Sequence, residues 1–271
     1  MAHELRPDRL KRAVKTVQWR DLTQMRVRDG LLECLHPLPW LILGFVLFHY
    51  GLWPLAFCAE FMFFLTALRL NHEAIHHNLG FGAKGHRWVL HGLSLVMLGS
   101  NHSVAFNHLQ HHRHINTDRD LEGKAGKMSL WRVLAYGPLF PIECHLAALR
   151  DGGPAWRKKV LTDLALNLCL PLIAIGFGLG FIAWHFLAML IAQCFTALFA
   201  VWITHRGCAD SDLIARTQRG RLVNAVSYNM FFHLEHHLFP AVPVRNLPEL
   251  AIRLERIEPA LAKAIRPVIG R

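Results

Sequence analysis

The feature that most constrains this chain is an apolar run of 42 residues, 164–205, that contains no Asp, Glu, Lys or Arg. A helix needs about 20 apolar residues to cross a bilayer, so the run is long enough for two spans. Gly178, the middle one of three closely spaced glycines, marks a turn near its centre. The sequence therefore predicts an integral membrane protein with a helical hairpin whose spans lie at about 159–177 and 180–204.

A second hairpin is predicted closer to the N-terminus. No Asp, Glu, Lys or Arg occurs between residues 35 and 59. Gly51 offers a turn, and Pro54 lies where the first turn of the returning helix would be. Spans are expected at about 34–50 and 53–71. A single span through this region is the alternative.

The basic residues favour the hairpin. Lys and Arg number eight in residues 1–30, 11 in residues 72–159 and 10 in residues 205–271, and the turn of the hairpin contains none. Loops rich in Lys and Arg stay on the cytoplasmic side of a membrane. Two hairpins place all three regions there, whereas a single first span would separate one of them. The predicted fold is therefore all-α and integral to the membrane, with four transmembrane helices as two hairpins and a cytoplasmic helical cap of residues 72–158 and 205–271.

The net charge of +11 raises the question of a nucleic-acid partner. Here the basic side chains flank apolar runs, which indicates anionic lipid headgroups and no nucleic-acid binding. Residues 1–33 interleave basic and apolar side chains, and we expect them to lie as an amphipathic segment on the membrane surface. The membrane domain would then comprise residues 34–271, with both termini cytoplasmic. A bacterial inner membrane is the expected location.

Nine of the 19 histidines fall into three clusters. They are His72, His76 and His77; His108, His111 and His112; and His233, His236 and His237. The second and third clusters have the spacing H-x-x-H-H, which places three imidazoles on one face of a helix. With His205 as a tenth member, the set is too large for one metal ion and suits two. Imidazole favours redox metals such as iron over magnesium or calcium, which prefer oxygen ligands.

Several acidic residues near these clusters are candidates for supporting roles. Asp118 and Asp120 follow the second cluster and could accept the second N–H of a ligand imidazole, although a solvated loop is the alternative. Residues 123–126 are expected to form a loop. Glu60 is predicted in mid-membrane, either hydrogen-bonded inside the bundle or lining a substrate tunnel.

At this point the motifs resemble a known family. H-x-x-x-H-H followed by two copies of H-x-x-H-H, spread over four predicted spans, is similar to the three histidine boxes of the membrane fatty acid desaturase superfamily. The resemblance covers about residues 35–250. The third motif, which continues as His-Leu-Glu-His-His-Leu-Phe-Pro, is also similar to that of carotenoid hydroxylases and ketolases. The resemblance implies a non-haem centre of two iron ions, O2 as co-substrate and a separate electron donor of ferredoxin, rubredoxin or cytochrome b5 type.

The resemblance also implies individual ligands. By motif these are His72, His76, His108, His111, His112, His233, His236 and His237, and the first motif uses one or other of His76 and His77. His205 resembles an extra ligand found between the second and third boxes in stearoyl-CoA-type desaturases. Those enzymes carry an asparagine one turn earlier, where this chain has Val201. Asn229, one turn before His233, is the candidate for holding a metal-bound water instead.

The sequence leaves three functions open. The first is a fatty-acyl or lipid desaturase, and the second is a hydroxylase or ketolase of the same superfamily that acts on a carotenoid or another lipid. The third is a metal transporter or sensor of the membrane. A transporter should carry its histidines along the spans, but only His49 and His185 are placed there, so the sequence favours an oxidoreductase.

Overall fold

A computed structural model describes residues 7–209 and 213–269, and within these ranges every regular element is helical. The first six residues of the predicted N-terminal segment and the last two residues of the chain lie outside the described residues. The predicted location of both termini therefore concerns residues that are not described. The predicted all-α class is therefore confirmed for the described part of the chain.

The N-terminal half contains α1 to α9. Their bounds are Pro7–Thr16, Val27–Leu35, Leu38–His49, Trp53–Ile75, Ala83–Met97, Asn101–His114, Leu121–Gly126, Leu130–Tyr136 and Phe140–Asp151. A short 3-10 helix, Arg20–Thr23, lies between α1 and α2.

The C-terminal half contains α10 to α17. Their bounds are Gly153–Asn167, Cys169–Phe177, Gly180–Gln193, Ile203–His205, Arg221–Val226, His233–Leu238, Leu247–Ile257 and Ala260–Ala264. A π-helical turn, Ala197–Trp202, joins α12 to α13, and a 3-10 turn, Val244–Asn246, precedes α16.

In the described part of the chain, three helical stretches are long and apolar enough to cross a membrane. They are Val27–His49, Trp53–Ile75 and Gly153–Phe177. A fourth candidate is the pair Gly180–Gln193 and Ala197–His205, which is bent by 43° and counts as one span if the two parts are taken together. Apolar side chains such as Ile175, which is 80% exposed, cover the outer faces, as expected where lipid is the solvent.

The first candidate span differs from the prediction at its start. It begins at Val27, so the expected boundary at residue 33 falls inside α2. Pro37 lies at the junction of α2 and α3. Proline has no N–H, but the N–H groups at the start of a helix have no partner within that helix, so Pro37 removes no hydrogen bond from α3. The second candidate span continues to Ile75 and therefore carries His72 beyond the expected end at residue 71.

The N-terminal helix is amphipathic as predicted, but its apolar face is buried in the protein. Leu10 and Ala13 of α1 pack in one cluster with Leu250 and Leu254 of α16. Part of the face that was expected to meet the membrane surface is therefore covered by α16. Burial against another apolar helix satisfies the same hydrophobic face without lipid.

Glu60 lies inside the helical bundle and is fully buried. Its Oε2 is 2.9 Å from Nδ1 of His185, whose Nε2 donates to the carbonyl of Val96 at 2.7 Å. The close approach of α3 depends on Gly44, because a Cβ there would lie 3.0 Å from Cγ of Glu60. Of the two interpretations of this carboxyl group, the structure shows the hydrogen-bonded one.

Candidate metal centre

Four helices, α4, α6, α13 and α15, bring nine of the ten predicted histidines to one place. His72 lies on α4 and His76 directly after its end, and His205 ends α13. The second cluster lies on α6 and the third on α15, so the H-x-x-H-H spacing is helical in both, as predicted. The clusters are far apart in sequence and meet only through the packing of these elements.

The first group of imidazoles comprises His72, His76, His108 and His236, whose ligand nitrogens all lie within 4.8 Å of one another. Nε2 of His72 is 2.9 Å from Nε2 of His236, and Nε2 of His76 is 3.0 Å from Nε2 of His108. These nitrogens therefore surround one point.

The second group comprises His111, His205 and His237, again with ligand nitrogens within 4.8 Å of one another. His233 belongs beside them, because its Nε2 is 2.9 Å from that of His205 and 3.1 Å from that of His237. These four imidazoles surround a second point.

His112 connects the two groups. Its Nε2 is 2.9 Å from Nε2 of His236 and 3.2 Å from Nε2 of His108, both in the first group. Its ring stacks on that of His237, in the second group, with centroids 4.5 Å apart. The two groups thus form one continuous cluster of imidazoles.

The hydrogen bonds at the opposite ring nitrogens show which atoms face the centre of the cluster. Nδ1 of His205 lies 3.0 Å from the carbonyl of Ile214, and a carbonyl only accepts, so this Nδ1 carries the hydrogen. Nδ1 of His111 faces a carboxylate in the same way. In the neutral rings, the Nε2 lone pairs of His111 and His205 then face each other at 3.2 Å. Such an arrangement is stabilised by a cation between them.

The nitrogen separations also fit metal coordination. With metal–nitrogen bonds of about 2.1 Å, two ligands at a right angle are about 3.0 Å apart. Neighbouring Nε2 atoms in the cluster are 2.9 to 3.2 Å apart. An all-imidazole donor set suits iron and other transition metals and does not suit magnesium or calcium. The residues present therefore fit two transition-metal ions.

Burial keeps several of these rings neutral. Loss of solvent, reinforced by the neighbouring imidazoles, holds the pKa values of His112, His236 and His237 well below the ordinary value. A neutral imidazole is the form that binds a metal ion, so the environment favours metal binding over protonation.

Asp120 hydrogen-bonds to one of these imidazole rings. Its Oδ1 accepts from Nδ1 of His111 at 2.8 Å and from the backbone N–H of Gly123 at 2.7 Å. Burial opposes its ionisation, but the hydrogen bond and charge of His111 lower the pKa of Asp120 overall. The expected loop at residues 123–126 is wrong, since Asp120 is the N-cap of helix α7.

Glu122 has the same role for another ring and was missed by the sequence analysis. Its Oε2 is 3.0 Å from Nδ1 of His108. The available signal was an acidic N-cap, Asp120, followed by a second acidic residue, Glu122, in the first turn of α7, but two glycines in this stretch favoured a loop. Asp118 is exposed and makes no hydrogen bond to an imidazole, so its predicted role is wrong.

Two other predicted residues lie outside the cluster. His77 is exposed, with φ +60°, and stacks on His86 with ring centroids 4.7 Å apart, so the structure places His76 and not His77 at the centre. Asn229 was expected one helical turn before His233, but α15 begins only at His233 and Asn229 itself has φ +63°. The premise for its role in holding water is therefore wrong.

A separate polar cluster was not predicted. Asp163, which is fully buried, lies 2.5 Å from Nδ1 of His91 and 2.9 Å from Nδ1 of His102, and Ser100 donates to it at 2.6 Å. These three donors satisfy the carboxylate and tie α10 to α5 and α6. The three charged or titratable residues lie on different helices and share no short sequence spacing, so no motif indicates them.

Two apolar cavities reach the imidazoles. The pair Gly180–Gln193 and Ala197–His205 is called the bent helix below. The inner cavity lies between α4, α6 and the bent helix, and it touches His72, His108 and His233. The outer groove, with a volume of about 610 Å³, runs between α4, the bent helix and α14 and also reaches His233. They share the lining residues Leu68, Ala200, Met230 and His233. The groove and the inner cavity therefore adjoin each other along these four residues, and both are mainly apolar.

Comparison with known proteins agrees with this site. The profile described as fatty acid desaturase matches residues 46–268. Because the match covers most of the chain, this protein belongs to the fatty acid desaturase family.

Two relatives with assigned activities are both oxidoreductases of this superfamily. The sphingolipid delta(4)-desaturase of Drosophila melanogaster is 28% identical over 200 residues, which are 68% of this chain and 60% of that protein. The beta-carotene ketolase of a Paracoccus species is 25% identical over 185 residues, 65% of this chain and 70% of that protein. The chain therefore spans about 60% of the length of the first relative.

Proposed function

We propose that this protein is an O2-dependent, di-iron lipid desaturase that introduces a carbon–carbon double bond. The single observation that carries the proposal is a cluster of nine imidazoles, in two groups, that borders an apolar cavity. Membership of the fatty acid desaturase family and the similarity to a sphingolipid desaturase support it.

The proposed ligands divide between two iron ions. His72, His76, His108 and His236 would hold one ion, and His111, His205, His233 and His237 the other. His112 lies between the two groups and would complete either one. Bound iron supplies the activation of O2 against an unactivated C–H bond, which side chains alone do not achieve.

The remaining residues have supporting tasks. Asp120 and Glu122 hold the rings of His111 and His108 with Nε2 directed inward. The apolar walls of the inner cavity exclude water and align the chain of the substrate against the cluster. A lipid-like substrate follows from these walls.

The proposed topology has four spans as two hairpins, with residues 72–158 and 205–271 as a cytoplasmic cap. The distribution of basic residues supports this orientation. Both termini and the metal centre would then lie on the cytoplasmic side of a bacterial inner membrane. Electrons would come from a separate ferredoxin, rubredoxin or cytochrome b5-type protein.

A second candidate function is hydroxylation or ketolation of a carotenoid or another lipid. The similarity to a beta-carotene ketolase favours it. The same oxidant removes a second hydrogen or transfers oxygen according to the position of the substrate carbon, and both outcomes use the same imidazole cluster.

Mass spectrometry of lipid extracts tests the proposal. Cells that make fatty acyl lipids, and cells that also make carotenoids, would express the wild type or His236→Ala together with electron-donor proteins. A product that lacks two hydrogen atoms and depends on the wild type supports desaturation. A product that has gained oxygen supports the second candidate, and identical extracts from wild type and variant in both hosts contradict the proposal.

A further inference from the structure

A polar cleft lies on another face of α6 from the one that carries the histidines. It has a volume of about 960 Å³ and is walled by α6, the segment leading to α7, and by α7 to α9. Asn107 and Gln110 of α6 line it, whereas the neighbouring His108 and His111 point into the metal centre. The cleft is therefore separated from the metal centre by one helix.

Positive charge dominates this cleft. Its basic residues are Arg113, Arg119, Lys124, Lys127, Arg132 and Arg150, and all six are exposed. The exposed acidic residues in its lining are only Asp118 and Asp151. Lys124 pairs with Glu143, and Arg150 pairs with Asp151.

Lys127 donates to the backbone carbonyl of Asn116, and three of the cations are free to meet a partner. Among the described residues, the side chains of Arg113, Arg119 and Arg132 take part in no ion pair. Unpaired surface cations in a concave site attract an anionic partner and accelerate its association.

The cleft is connected to the metal centre through Asp120. This residue contributes to the cleft lining and also accepts from Nδ1 of His111 at 2.8 Å. On the same short helix, Glu122 bonds to His108 of the other imidazole group. A partner in the cleft would therefore lie one hydrogen-bonded carboxylate away from a ligand ring.

The cleft is not a route for the substrate chain. The inner cavity and the outer groove, which reach the imidazoles directly, share no lining residue with it. A carrier headgroup bound in the cleft would therefore not lie at the mouth of the inner cavity or of the outer groove. The cleft suits a partner that delivers electrons and no atoms.

We propose that this cleft docks an acidic electron-donor protein; the proposal rests on the function proposed above. Desaturation with O2 takes two electrons and two protons from the substrate, two electrons from the donor in single steps and two protons from the solvent, and it releases two molecules of water. The donor binds through its acidic surface to Arg113, Arg119 and Arg132. Electrons from the donor reach the imidazole cluster through Asp120 and His111.

Binding measurements with purified, detergent-solubilised protein test the docking site. The probes are a [2Fe–2S] ferredoxin, a rubredoxin and cytochrome b5, and the variant is Arg113→Glu with Arg119→Glu and Arg132→Glu. The control variant, Lys11→Glu with Arg12→Glu and Lys15→Glu, reverses the same number of exposed charges on α1. At low salt, we expect the cleft variant to bind a donor on the order of tenfold more weakly or worse, and the control to stay within about twofold.

The dependence on salt gives a second readout. Wild-type affinity should fall steeply as salt is added, and the cleft variant should show a shallower slope because fewer charges are involved. Thermal unfolding and iron content are measured for each variant, to check that the fold and the metal centre are intact.

Several outcomes would overturn the docking site. These are equal loss of affinity in both variants, unchanged affinity in the cleft variant, and no binding of any probe to the wild type. Donor binding that depends on the cleft, in a protein that forms no product, would uphold the docking site and contradict the proposed function. Product formation with a small chemical reductant, together with donor binding that the cleft substitutions leave unchanged, would uphold the proposed function and contradict the docking site.

Discussion

At the scale of single residues, the histidines differ in what their second ring nitrogen contacts. His111 and His108 each bond to a carboxylate, and His205 bonds to a backbone carbonyl. Nδ1 of His72 and of His236 has no hydrogen-bond partner among the described residues. The rings with fixed Nδ1 partners are held with Nε2 inward before any metal binds.

Asp120→Asn tests this orientation. The amide keeps an oxygen that can accept a hydrogen bond but loses the charge that favours a basic His111. We expect iron affinity to fall by about 10- to 100-fold, as for other residues that support a metal ligand. Competition with a chelator of known affinity measures it. Asp118→Asn is the control, and equal behaviour of the two variants would contradict the role of Asp120.

His76→Asn and His77→Asn form a matched pair at adjacent positions. Asparagine tolerates the left-handed backbone of His77, so neither substitution adds strain there. We expect His76→Asn to lose iron and His77→Asn to retain the full content, measured by elemental analysis. Loss of iron only in His77→Asn would show that the neighbouring imidazole is the ligand.

At the scale of elements, the sequence predicted the apolar helices well because hydropathy alone defines them. The span expected at 180–204 matches the bent pair in extent, but nothing in the sequence indicated the bend of 43° at a π-helical turn. No proline marks the bend, and an apolar pattern does not distinguish α from π geometry. Likewise, the sequence did not indicate helix α7. Asp120 caps this helix and also hydrogen-bonds to His111, so its position depends on packing between α6 and α7.

The bend packs against the corner between α8 and α9, and Gly137→Ala tests this contact. A Cβ at residue 137 would lie 2.0 Å from the backbone oxygen of Cys194, next to the bend. We expect a loss of about 1–3 kcal/mol in stability, typical of overpacking, measured by denaturation in detergent. Gly92→Ala is the control, because a Cβ there has open space. Equal stability of the two variants would contradict the close packing.

At the scale of the whole molecule, both ends of the described chain support the third histidine cluster. Leu10 of α1, Leu254 of α16 and Leu234 of α15 belong to one buried cluster. Leu234 directly follows His233, so this core holds the α15 ligands in place. The sequence predicted an amphipathic segment at the N-terminus but not that it packs on α16, because contacts between distant segments leave no local pattern.

Leu254→Ala tests the connection. Leu254 is fully buried, and its truncation should cost about 2–5 kcal/mol. We expect a lower unfolding midpoint together with weaker iron retention on heating. Ile252→Ala, at a position that is 45% exposed, should change little. If Leu254→Ala lost stability but kept iron up to the unfolding midpoint, the core would not support α15.

The sequence was thus sufficient to predict which histidines come together and which helices are apolar enough to cross a membrane, since local spacing and hydropathy indicate both. It was insufficient for Glu122 and for the cluster of Asp163 with His91 and His102. These residues come together only through packing between helices. Asp118 and Asn229 were misplaced for the same reason, because proximity in sequence to a histidine did not become proximity in space.

The most direct test of the central claim is the iron content of purified protein, measured by elemental analysis per chain. The account predicts two irons for the wild type and less for His236→Ala and His111→Ala, which remove one ligand from each group. His49→Ala, at the far end of α3, should keep both. A wild type that saturates with one iron or none, or His236→Ala and His111→Ala proteins that both retain two, would contradict the account.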